Sequence, residues 1–563
     1  MVPKTATIVI VGGVAGGASA ATRARRMNEH AEIILLEKDE HVSFANCGLP
    51  YYIGGEIADR QKLLVATPEF LARRFRIDVR TCQNVESIDR VGKAITIRNL
   101  VSGETYSLAY DKLILAPGAA PLMPPLPGRD AANVFTLRNM ADTDRIKAAA
   151  DACVSKRAVV VGSGYIGLEM VEQLVRQGFQ VALAELLPQI LPLLDVEMAQ
   201  PLEETLRRHG VEVYLGDGIQ RVLVDQWNAA TGIELQSGRV VQAELVILGL
   251  GVRPHLELAE QAGLTIGAGC GIAANQYHQT SDPDIYAVGD ACEYVFGPTG
   301  QSQRIALAGP ANRAGRLAGE HAATGRSLPM APVFGTSIVR VFDRTAGMTG
   351  LTAKNAARLG VPARSVTIVA NQHAGYFPGA TPLTLKLTFD PTSGRVLGGQ
   401  AVGADGVDKR IDVLATALAF NATVRDLAGL DLAYAPPFGS AKDPIHQAAF
   451  AAGNLLDGFE QFLDADADLS GKQVVDVRTA AEVQQTPLAG APNLVNIPVD
   501  ELRQRIGELD PAAETVVSCG IGLRGHVAAR ILKQHGFADV KNLAGGATVR
   551  NRIVAVVAAS SSP

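Results

Sequence analysis

The segment SFANCGLPYYIGG, residues 43–55, sets a single cysteine, Cys47, among small and polar residues. The chain has six cysteines, at positions 47, 82, 153, 270, 292 and 519, and no two of them form a CxxC pair. This spacing argues against a zinc site and against a dithiol motif. A cysteine that does chemistry without a thiol partner acts as a free thiolate. The alternative is that Cys47 is a small buried apolar residue.

Two glycine-rich turns have the spacing of nucleotide phosphate sites. Each lies between an apolar strand and a helix, in IVIVGGVAGGASAATRARR near the start and in AVVVGSGYIGLEMVEQLVRQG from Ala158. In the second turn the glycines bend the chain, admit a pyrophosphate and let the helix pack on the strand. Glu185 ends the next strand and would accept the ribose 2′-OH, which predicts NADH over NADPH. The predicted turn residues are Gly162, Gly164, Tyr165, Ile166 and Gly167.

The first turn departs from the full spacing because Val14 holds the middle glycine position. Glu37 is the ribose acceptor candidate and Lys38 covers the adenine side, although an acid here is also consistent with a solvated strand end. Asp290 follows an apolar strand and a glycine, where a helix is expected to start. It would bond a ribityl chain, or alternatively cap the helix. The other predicted turn residues are Gly12, Gly13, Ala15 and Gly17.

Length and composition restrict the class of protein. A chain of 563 residues and 59.1 kDa predicts three or four domains, and an apolar fraction of 47% is that of a globular enzyme. The net charge of −5 gives no basic field for nucleic acid. No apolar run reaches the length of a membrane helix, and the N-terminal run lacks a basic flank. We therefore expect a cytoplasmic enzyme without nucleic-acid or membrane partners.

The order of strands and helices predicts an α/β protein with an inserted domain. The first nucleotide module spans 1–150 and is completed by 276–328, and the second module, 151–275, is inserted between them. Alternating β-branched runs predict an α+β domain over 329–455. A polar, acidic linker, 456–468, then leads to a separate α/β domain over 469–563.

These motifs resemble the flavoprotein disulfide reductases, which place FAD and NAD(P)H on two Rossmann-like domains. Members with an internal disulfide carry CxxxxC, but Tyr52 stands five residues after Cys47. Within that group the single-cysteine coenzyme A disulfide reductases and NADH-dependent persulfide reductases are more similar. The shared stretches, up to about residue 450, are SFANCGLPY, YDKLILAPGA, TSDPDIYAVGD, DKRIDVLATAL and AYAPPFGSAKDP.

The resemblance implies that NADH and FAD reduce a mixed disulfide between Cys47 and coenzyme A. A helix N-terminus and the oxidised flavin would stabilise the Cys47 thiolate, and Val85 and Ala116 would contact FAD. Tyr376 and Tyr434 would reach across a homodimer, through the 329–455 dimerisation domain, to assist the departing sulfur. Coenzyme A would be bound by Ser19, Arg23, Arg26, Ser43 and Asn46.

The coenzyme A residues have an alternative, because Arg23 and Arg26 are spaced i, i+3 as on an ordinary solvated helix face. One position also departs from the family pattern. A lysine that helps to bind coenzyme A in related proteins is replaced by Phe75, although arginines lie on both sides of it.

The C-terminal segments VVDVRTAAEV, NIPVDELRQRI and VSCGIGLRGHVAARIL resemble a rhodanese domain. Its catalytic thiol would be Cys519, in a loop whose N–H groups stabilise a persulfide. Asp476 and Arg478 resemble the family's structural acid and base near the loop, although we favour their interpretation as an ion pair at a strand end. The remaining loop residues are Gly520, Ile521, Gly522, Leu523 and Arg524.

The combined prediction is an enzyme that reduces coenzyme A persulfide or polysulfide, releasing hydrogen sulfide, and also coenzyme A disulfide. One alternative is an NADH oxidase that cycles its cysteine through sulfenic acid. Enzymes of that kind carry a histidine in the first glycine loop, where this chain has Ala15. Another alternative is a flavin-binding redox sensor or sulfur carrier. No metal site is predicted.

Overall fold

The computed structural model describes residues 6–560, with side chains to residue 554, so the outermost ends of the first and last predicted domains lie outside the described residues. Internal contacts divide the chain into two units. The first consists of residues up to 184 together with 219–335, and the second of 185–218 together with 336 onward. The predicted second nucleotide module therefore contributes to both units.

The first unit contains a parallel sheet that carries the first glycine turn. The strand Thr7–Val11 is buried from its second residue, as expected for a parallel sheet covered on both faces. Ile285–Ala287 pairs with Lys112–Leu115, which is the return to the first domain that the sequence predicts. The strand order is Ile285–Ala287, Lys112–Leu115, Thr7–Val11, Glu32–Leu36 and Asp78–Arg80.

Two long helices of this unit, Gly16–Met27 and Ala308–Thr324, pack directly on each other. A Cβ atom on Gly315 would lie only 2.1 Å from the carbonyl oxygen of Gly16. Glycine is therefore required for this close approach. As a result, polar residues of the two helices lie beside each other at the surface.

A second parallel sheet in this unit carries the second glycine turn. Its strands are Gln180–Glu185, Arg157–Val161, Leu245–Leu248 and Val134–Phe135. Antiparallel strands are Gln83–Asp89, Ala94–Asn99 and Thr105–Ala109; Ile219–Val224, Ala230–Leu235 and Val240–Gln242; Ala119–Pro121 with Val252–Pro254; and Glu293–Val295 with Ser302–Arg304. Further helices are Leu49–Ile53, Pro68–Phe75, Met140–Ala152, Tyr165–Arg176 and Glu257–Gln261, with 3₁₀ turns at Asn46–Gly48 and Arg60–Leu63.

The second unit begins with an antiparallel sheet that also holds the segment 185–218. The buried carboxylate of Asp195 accepts a hydrogen bond from Gln400 at 2.7 Å and lies 2.8 Å from Lys386. The sheet order is Ser337–Val341, Arg344–Gly350, Val396–Gly403, Pro382–Phe389 and Arg364–Asn371. The other elements are Val196–Arg208, Glu212–Leu215, Ala353–Arg358, Val407–Ala419, Val424–Ala428 and Pro444–Leu456.

The C-terminal domain is a parallel sheet covered by helices. Its first strand, Phe462–Leu463, pairs with Val540–Leu543 and lies inside the segment predicted to be a linker. The linker prediction is therefore wrong here, because a two-residue strand among acidic residues has no recognisable alternation. The strand order is Phe462–Leu463, Val540–Leu543, Thr515–Ser518, Gln473–Asp476 and Leu494–Asn496. The helices are Ala480–Gln485, Leu502–Arg505, Leu523–Gln534 and Gly546–Ser560, with a 3₁₀ turn at Ile506–Glu508.

The predicted α/β class is confirmed. Between residues 6 and 560, none of the helices combines the length and the apolar composition that crossing a bilayer requires. The same residues contain no group of three or more His, Cys, Asp or Glu side chains arranged to hold a metal ion.

Candidate active site

Cys47 lies directly before the helix Leu49–Ile53, and its thiol is free and exposed. This helix packs on Tyr165–Arg176, the helix that follows the second glycine turn. The hydroxyl of Tyr51 donates a hydrogen bond to Glu169 Oε1 at 3.1 Å. The thiol is therefore carried on an element that is fixed to the second nucleotide module.

The protein's own charges oppose ionisation of this thiol. Partial burial raises the pKa of Cys47, and the carboxylates of Glu169 and Asp290 raise it further. The sequence suggests a thiolate stabilised by the following helix, but that helix has only five residues. Backbone hydrogen bonding at Cys47 lowers the pKa, by less than burial and the two carboxylates raise it.

Ser43 and Asn46, the predicted contacts of the pantetheine arm, flank the thiol. Ser43 is buried and has φ +51°, a conformation that is costly for a residue with a Cβ. Its carbonyl accepts hydrogen bonds from the N–H groups of Val65 and Ala66. Asn46 Nδ2 donates to the carbonyl oxygen of Arg138 at 3.4 Å. The structure therefore fixes both residues, and their role toward coenzyme A stays a prediction.

Asp290 forms an ion pair of 3.2 Å with Arg138. It follows Gly289, which has φ +85°. Both the N–H and the carbonyl group of Gly289 form hydrogen bonds with Tyr294. The Tyr294 hydroxyl accepts from Gly289 N–H at 2.9 Å and donates to the Gly289 carbonyl at 3.2 Å. No described helix begins at Asp290, since the next element is the strand Glu293–Val295. The helix expected at this position, and with it the capping alternative, is therefore wrong.

The first glycine turn has the close contacts that its sequence predicts. A Cβ on Gly12 would lie 2.1 Å from the Ala116 carbonyl oxygen, and one on Gly17 would lie 1.7 Å from the Gly12 carbonyl oxygen. Glu37 Oε2 accepts from Gly13 N–H at 2.7 Å, and burial raises the pKa of Glu37. Of the other predicted residues, Val14 and Ala15 are half-buried, Lys38 is exposed and Val85 is buried.

The three glycines of the second turn differ in the space that surrounds them. A Cβ on Gly162 would meet the Gly249 carbonyl oxygen at 2.4 Å, and one on Gly167 would meet the Gly162 carbonyl oxygen at 2.0 Å. A Cβ on Gly164 would meet no atom within 4 Å, at the start of the helix Tyr165–Arg176. This open space at the N-terminal end of a helix fits a pyrophosphate.

Glu185 is buried at the end of its strand, and its Oε1 accepts from Leu187 N–H at 2.9 Å. Tyr165 is half-buried and Ile166 is exposed at the start of the helix. The preference for NADH that Glu185 suggests stays a prediction.

An arginine-lined cavity lies at the junction of the two long helices of the first unit. It has a volume of about 280 Å³ and is lined by Ser19, Thr22, Arg26, Asn312, Arg313 and Arg316. Ser19 Oγ donates to Asn312 Oδ1 at 2.6 Å. Arg23 lies outside this lining and forms a 2.5 Å ion pair with Glu320. The structure therefore groups two of the predicted coenzyme A residues with four polar residues that sequence reasoning missed.

Tyr376 and Tyr434 are brought together in the second unit, with their hydroxyl oxygens 2.9 Å apart. Both side chains are exposed, at 76% and 48% of their surface. Their hydrogen bond raises the pKa of Tyr376. The predicted contact with the thiol of a partner subunit stays a prediction.

Cys519 lies buried inside the loop that precedes the helix Leu523–Gln534. Its Sγ accepts a hydrogen bond from Gly522 N–H at 3.1 Å, and Gly522 has φ +98°. Asn542 Nδ2 donates to the Gly522 carbonyl at 3.0 Å. The loop therefore directs one backbone N–H at the sulfur, as an anion-binding loop requires.

The segment that enters the domain also supports this loop. Glu460 is 1% exposed, and its carboxylate bonds Asn542 Nδ2 at 2.8 Å and His526 Nδ1 at 2.7 Å. The bond to Glu460 raises the pKa of His526. Sequence reasoning missed Glu460 because it placed this residue in the linker.

Two arginines near the loop are bound to carboxylates. Asp476 and Arg478 form a buried ion pair of 2.6 Å, so their interpretation as a strand-end pair is confirmed. Arg524 forms two hydrogen bonds to Glu482, at 2.9 and 2.6 Å. These bonds hold the pKa of Glu482 at about 2. Around them, Gly520 is half-buried, whereas Ile521 and Leu523 are exposed.

Comparison with known families gives the class of the protein. Residues 6–315 match the pyridine nucleotide-disulphide oxidoreductase model, residues 336–444 match its dimerisation domain and residues 459–549 match a rhodanese-like domain. The chain belongs to the pyridine nucleotide-disulphide oxidoreductase family and carries an additional rhodanese-like domain. This family implies FAD and NAD(P)H, and the contacts of both glycine turns fit such nucleotides.

Individual relatives confirm the resemblance to coenzyme A-linked reductases. The coenzyme A disulfide reductase of Staphylococcus haemolyticus is 34% identical over 448 residues, covering 80% of this chain and 99% of that protein. Reduced Bacillus anthracis CoADR-RHD is 45% identical with a TM-score of 0.93, covering 98% of each chain. An NAD-dependent persulfide reductase from A. fulgidus is 36% identical with a TM-score of 0.90, covering 96% of this chain and 99% of the other.

Proposed function

We propose that the protein is an NADH-dependent FAD enzyme that reduces coenzyme A persulfide, polysulfide and coenzyme A disulfide through Cys47. The observation that carries this proposal is the Cys47 thiol, which is exposed and unpaired and precedes a helix that packs on the helix of the second glycine turn. All six cysteines lie within the described residues and are free. This supports a reaction in which the second sulfur comes from the substrate.

The proposed chemistry begins with attack of the Cys47 thiolate on the coenzyme A sulfur. With coenzyme A persulfide, a Cys47–coenzyme A disulfide forms and hydrosulfide leaves, and with coenzyme A disulfide, a coenzyme A thiolate leaves. Bound FAD and NADH supply the electron pair that returns both sulfurs to the thiol state. With the persulfide, one NADH yields one hydrogen sulfide and one coenzyme A thiol.

The arginine-lined cavity supports binding of coenzyme A. Arg26, Arg313 and Arg316 present three guanidinium groups, which suit phosphates better than a single amine does. Arg23 is already bound to Glu320, so a phosphate would have to compete with that carboxylate.

The C-terminal domain is proposed to carry sulfane sulfur on Cys519. A Cys519 persulfide would pass its outer sulfur to a coenzyme A thiolate, which gives coenzyme A persulfide and regenerates the Cys519 thiolate. The dimerisation domain supports a homodimer, in which Tyr376 and Tyr434 reach the partner's thiol. A cytoplasmic location is part of the proposal.

A second candidate function is reduction of oxygen. A water-forming NADH oxidase from Lactobacillus brevis is 28% identical with a TM-score of 0.77, covering 81% of this chain and all of the other. The exposure of Cys47 is also compatible with oxidation to sulfenic acid. The Ala15 position, however, offers no group that transfers protons.

The test is to follow NADH consumption, sulfide release and oxygen uptake in the same samples. We expect one sulfide for each NADH with coenzyme A persulfide, slower turnover with NADPH and little oxygen uptake. Oxygen consumption without any thiol substrate, at a rate equal to sulfur reduction, would favour the oxidase. Turnover that is unchanged in Cys47→Ser would favour a sensor or carrier.

A further inference from the structure

The Cys519 loop contains a single basic residue, Arg524, and that residue is paired with a carboxylate. Both of its terminal nitrogens donate to Glu482, at 2.9 and 2.6 Å. Since this pair holds the pKa of Glu482 at about 2, the carboxylate is charged at any pH at which the enzyme would work. The positive charge of the loop is therefore balanced before a donor arrives.

Two further basic side chains beside the loop are bound in the same way. Arg478 lies 2.6 Å from Asp476, and His526 lies 2.7 Å from Glu460. Each of these three positive charges has its own carboxylate, whereas Arg530, further along the same helix, donates to the Phe459 carbonyl oxygen at 2.6 Å. An incoming dianion would have to displace one of these carboxylates.

Three exposed side chains in and next to the loop are apolar, and they form what we call the apolar rim. Ile521 is 41% exposed, Leu523 is 66% exposed and Val527, one turn further along the helix, is 41% exposed. Cys519 itself is buried within the same loop and accepts the Gly522 N–H. A donor that approaches this loop can therefore make contact with the apolar rim.

We infer that Cys519 takes sulfur from an organic persulfide other than the coenzyme A persulfide that it forms, one whose sulfur lies on an uncharged arm such as free pantetheine, in preference to thiosulfate. This inference rests on the proposed sulfur-carrying function of the domain and specifies its donor. Thiosulfate carries two negative charges and needs positive groups that are free to bind it. An uncharged arm gains instead from contact with the apolar rim.

The transfer step is balanced without a further reactant. The Cys519 thiolate attacks the outer sulfur of R–S–SH, the S–S bond breaks, R–S⁻ leaves and Cys519–S–SH forms. The Gly522 N–H remains beside the Cys519 sulfur and stabilises its negative form. No electrons enter or leave the pair of reactants.

The experiment measures formation of the Cys519 persulfide by mass spectrometry in the full chain. The background variant Cys47→Ser, without NADH, prevents reduction of the product. Pantetheine persulfide and thiosulfate are offered at equal concentrations. We expect pantetheine persulfide to load Cys519 at least about tenfold faster, because its arm replaces water on the apolar rim.

Charge variants of the rim test the reason for this preference. Leu523→Lys should raise loading by thiosulfate about fivefold, whereas Leu523→Gln, the uncharged control, should not. Leu523 is exposed, so neither change should affect folding. Glu482→Gln leaves the charge of Arg524 without its carboxylate, so it should also raise loading of Cys519 by thiosulfate.

The outcomes separate this inference from the function on which it rests. Equal loading by both donors, with no response to Leu523→Lys, would overturn the donor preference and leave sulfur transfer by Cys519 intact. No loading by either donor would overturn the proposed role of Cys519 itself, and the preference with it.

Discussion

Cys47 and Cys519 are the same chemical group in two opposite surroundings. Cys47 is exposed at the surface, and partial burial followed by the carboxylates of Glu169 and Asp290 raises its pKa. Cys519 is buried in a loop, and the Gly522 N–H donates to its sulfur. One thiol is open to a bulky partner, whereas the other is enclosed by backbone that would hold a persulfide.

The charged groups near the two thiols also differ. The first unit gathers three arginines in one cavity, which suits a phosphate-bearing substrate. Near Cys519, the side chains of Arg478, Arg524 and His526 are each paired with a carboxylate. The exposed rim of the loop is apolar. The comparison teaches that one chain can separate reduction of a sulfur carrier from storage of the sulfur, by changing what surrounds each cysteine.

The largest expected effect comes from removing each thiol in turn. Cys47→Ser should lower NADH-dependent reduction of coenzyme A disulfide and persulfide by about a thousandfold or more, because no nucleophile remains. Cys519→Ser should keep both activities within about twofold and lose loading with sulfane sulfur. The visible flavin spectrum serves as the folding control for both variants. Equal losses in the two variants would break the comparison.

The next effect concerns the cavity that holds the substrate of Cys47. Replacing both Arg26 and Arg313 with Gln should raise KM for coenzyme A disulfide about tenfold with little change in kcat, since two charge-assisted bonds are lost. Arg23→Gln is the matched control, because Arg23 is bound to Glu320. A larger effect from Arg23 than from the double variant would contradict the assignment of the cavity.

A smaller effect is expected where the segment 456–468 supports the Cys519 loop. Glu460→Gln should reduce the free energy of unfolding of the C-terminal domain by about 1 kcal/mol, since His526 and Asn542 lose a charged acceptor.

The effect has a definite dependence on pH. Because Glu460 raises the pKa of His526, the stabilisation is complete below the ordinary histidine value of 6.5 and is lost as pH rises through the raised pKa. Amide exchange in the strands Thr515–Ser518 and Val540–Leu543 at two pH values measures this. A difference between wild type and variant that grows as pH rises would contradict the assignment.

The smallest effect tests the charges beside Cys47. Glu169→Gln should lower the pKa of the Cys47 thiol, so alkylation by iodoacetamide at a fixed neutral pH should rise about twofold. Tyr51→Phe is the control, because it removes the hydrogen bond and keeps the carboxylate. An unchanged or slower alkylation in Glu169→Gln would show that the carboxylate does not act on the thiol.

Much of the fold and part of the site follow from the sequence. Each glycine turn lies between an apolar strand and a helix, and this local pattern predicted both nucleotide modules. The spacing of Gly315 and Gly319 is also a readable signal for close helix packing. It would have led to Asn312, Arg313 and Arg316, which lie beside those glycines on the same helix.

Other features depend on contacts between distant segments and have no local pattern. The ion pair of Arg23 with Glu320 joins residues far apart in the chain, so the local sequence does not predict it. Glu460 looked like one of several acids in a polar linker, and only the fold buries it under the Cys519 loop. The effect of Glu169 and Asp290 on the Cys47 pKa likewise requires three segments to meet.

The most direct test of the central claim is mass analysis of the enzyme after addition of coenzyme A disulfide without NADH. We predict one coenzyme A bound by a disulfide to the peptide that contains Cys47, and its release when NADH is added. A coenzyme A adduct on another cysteine, or no adduct while NADH oxidation still responds to coenzyme A disulfide, would contradict the account.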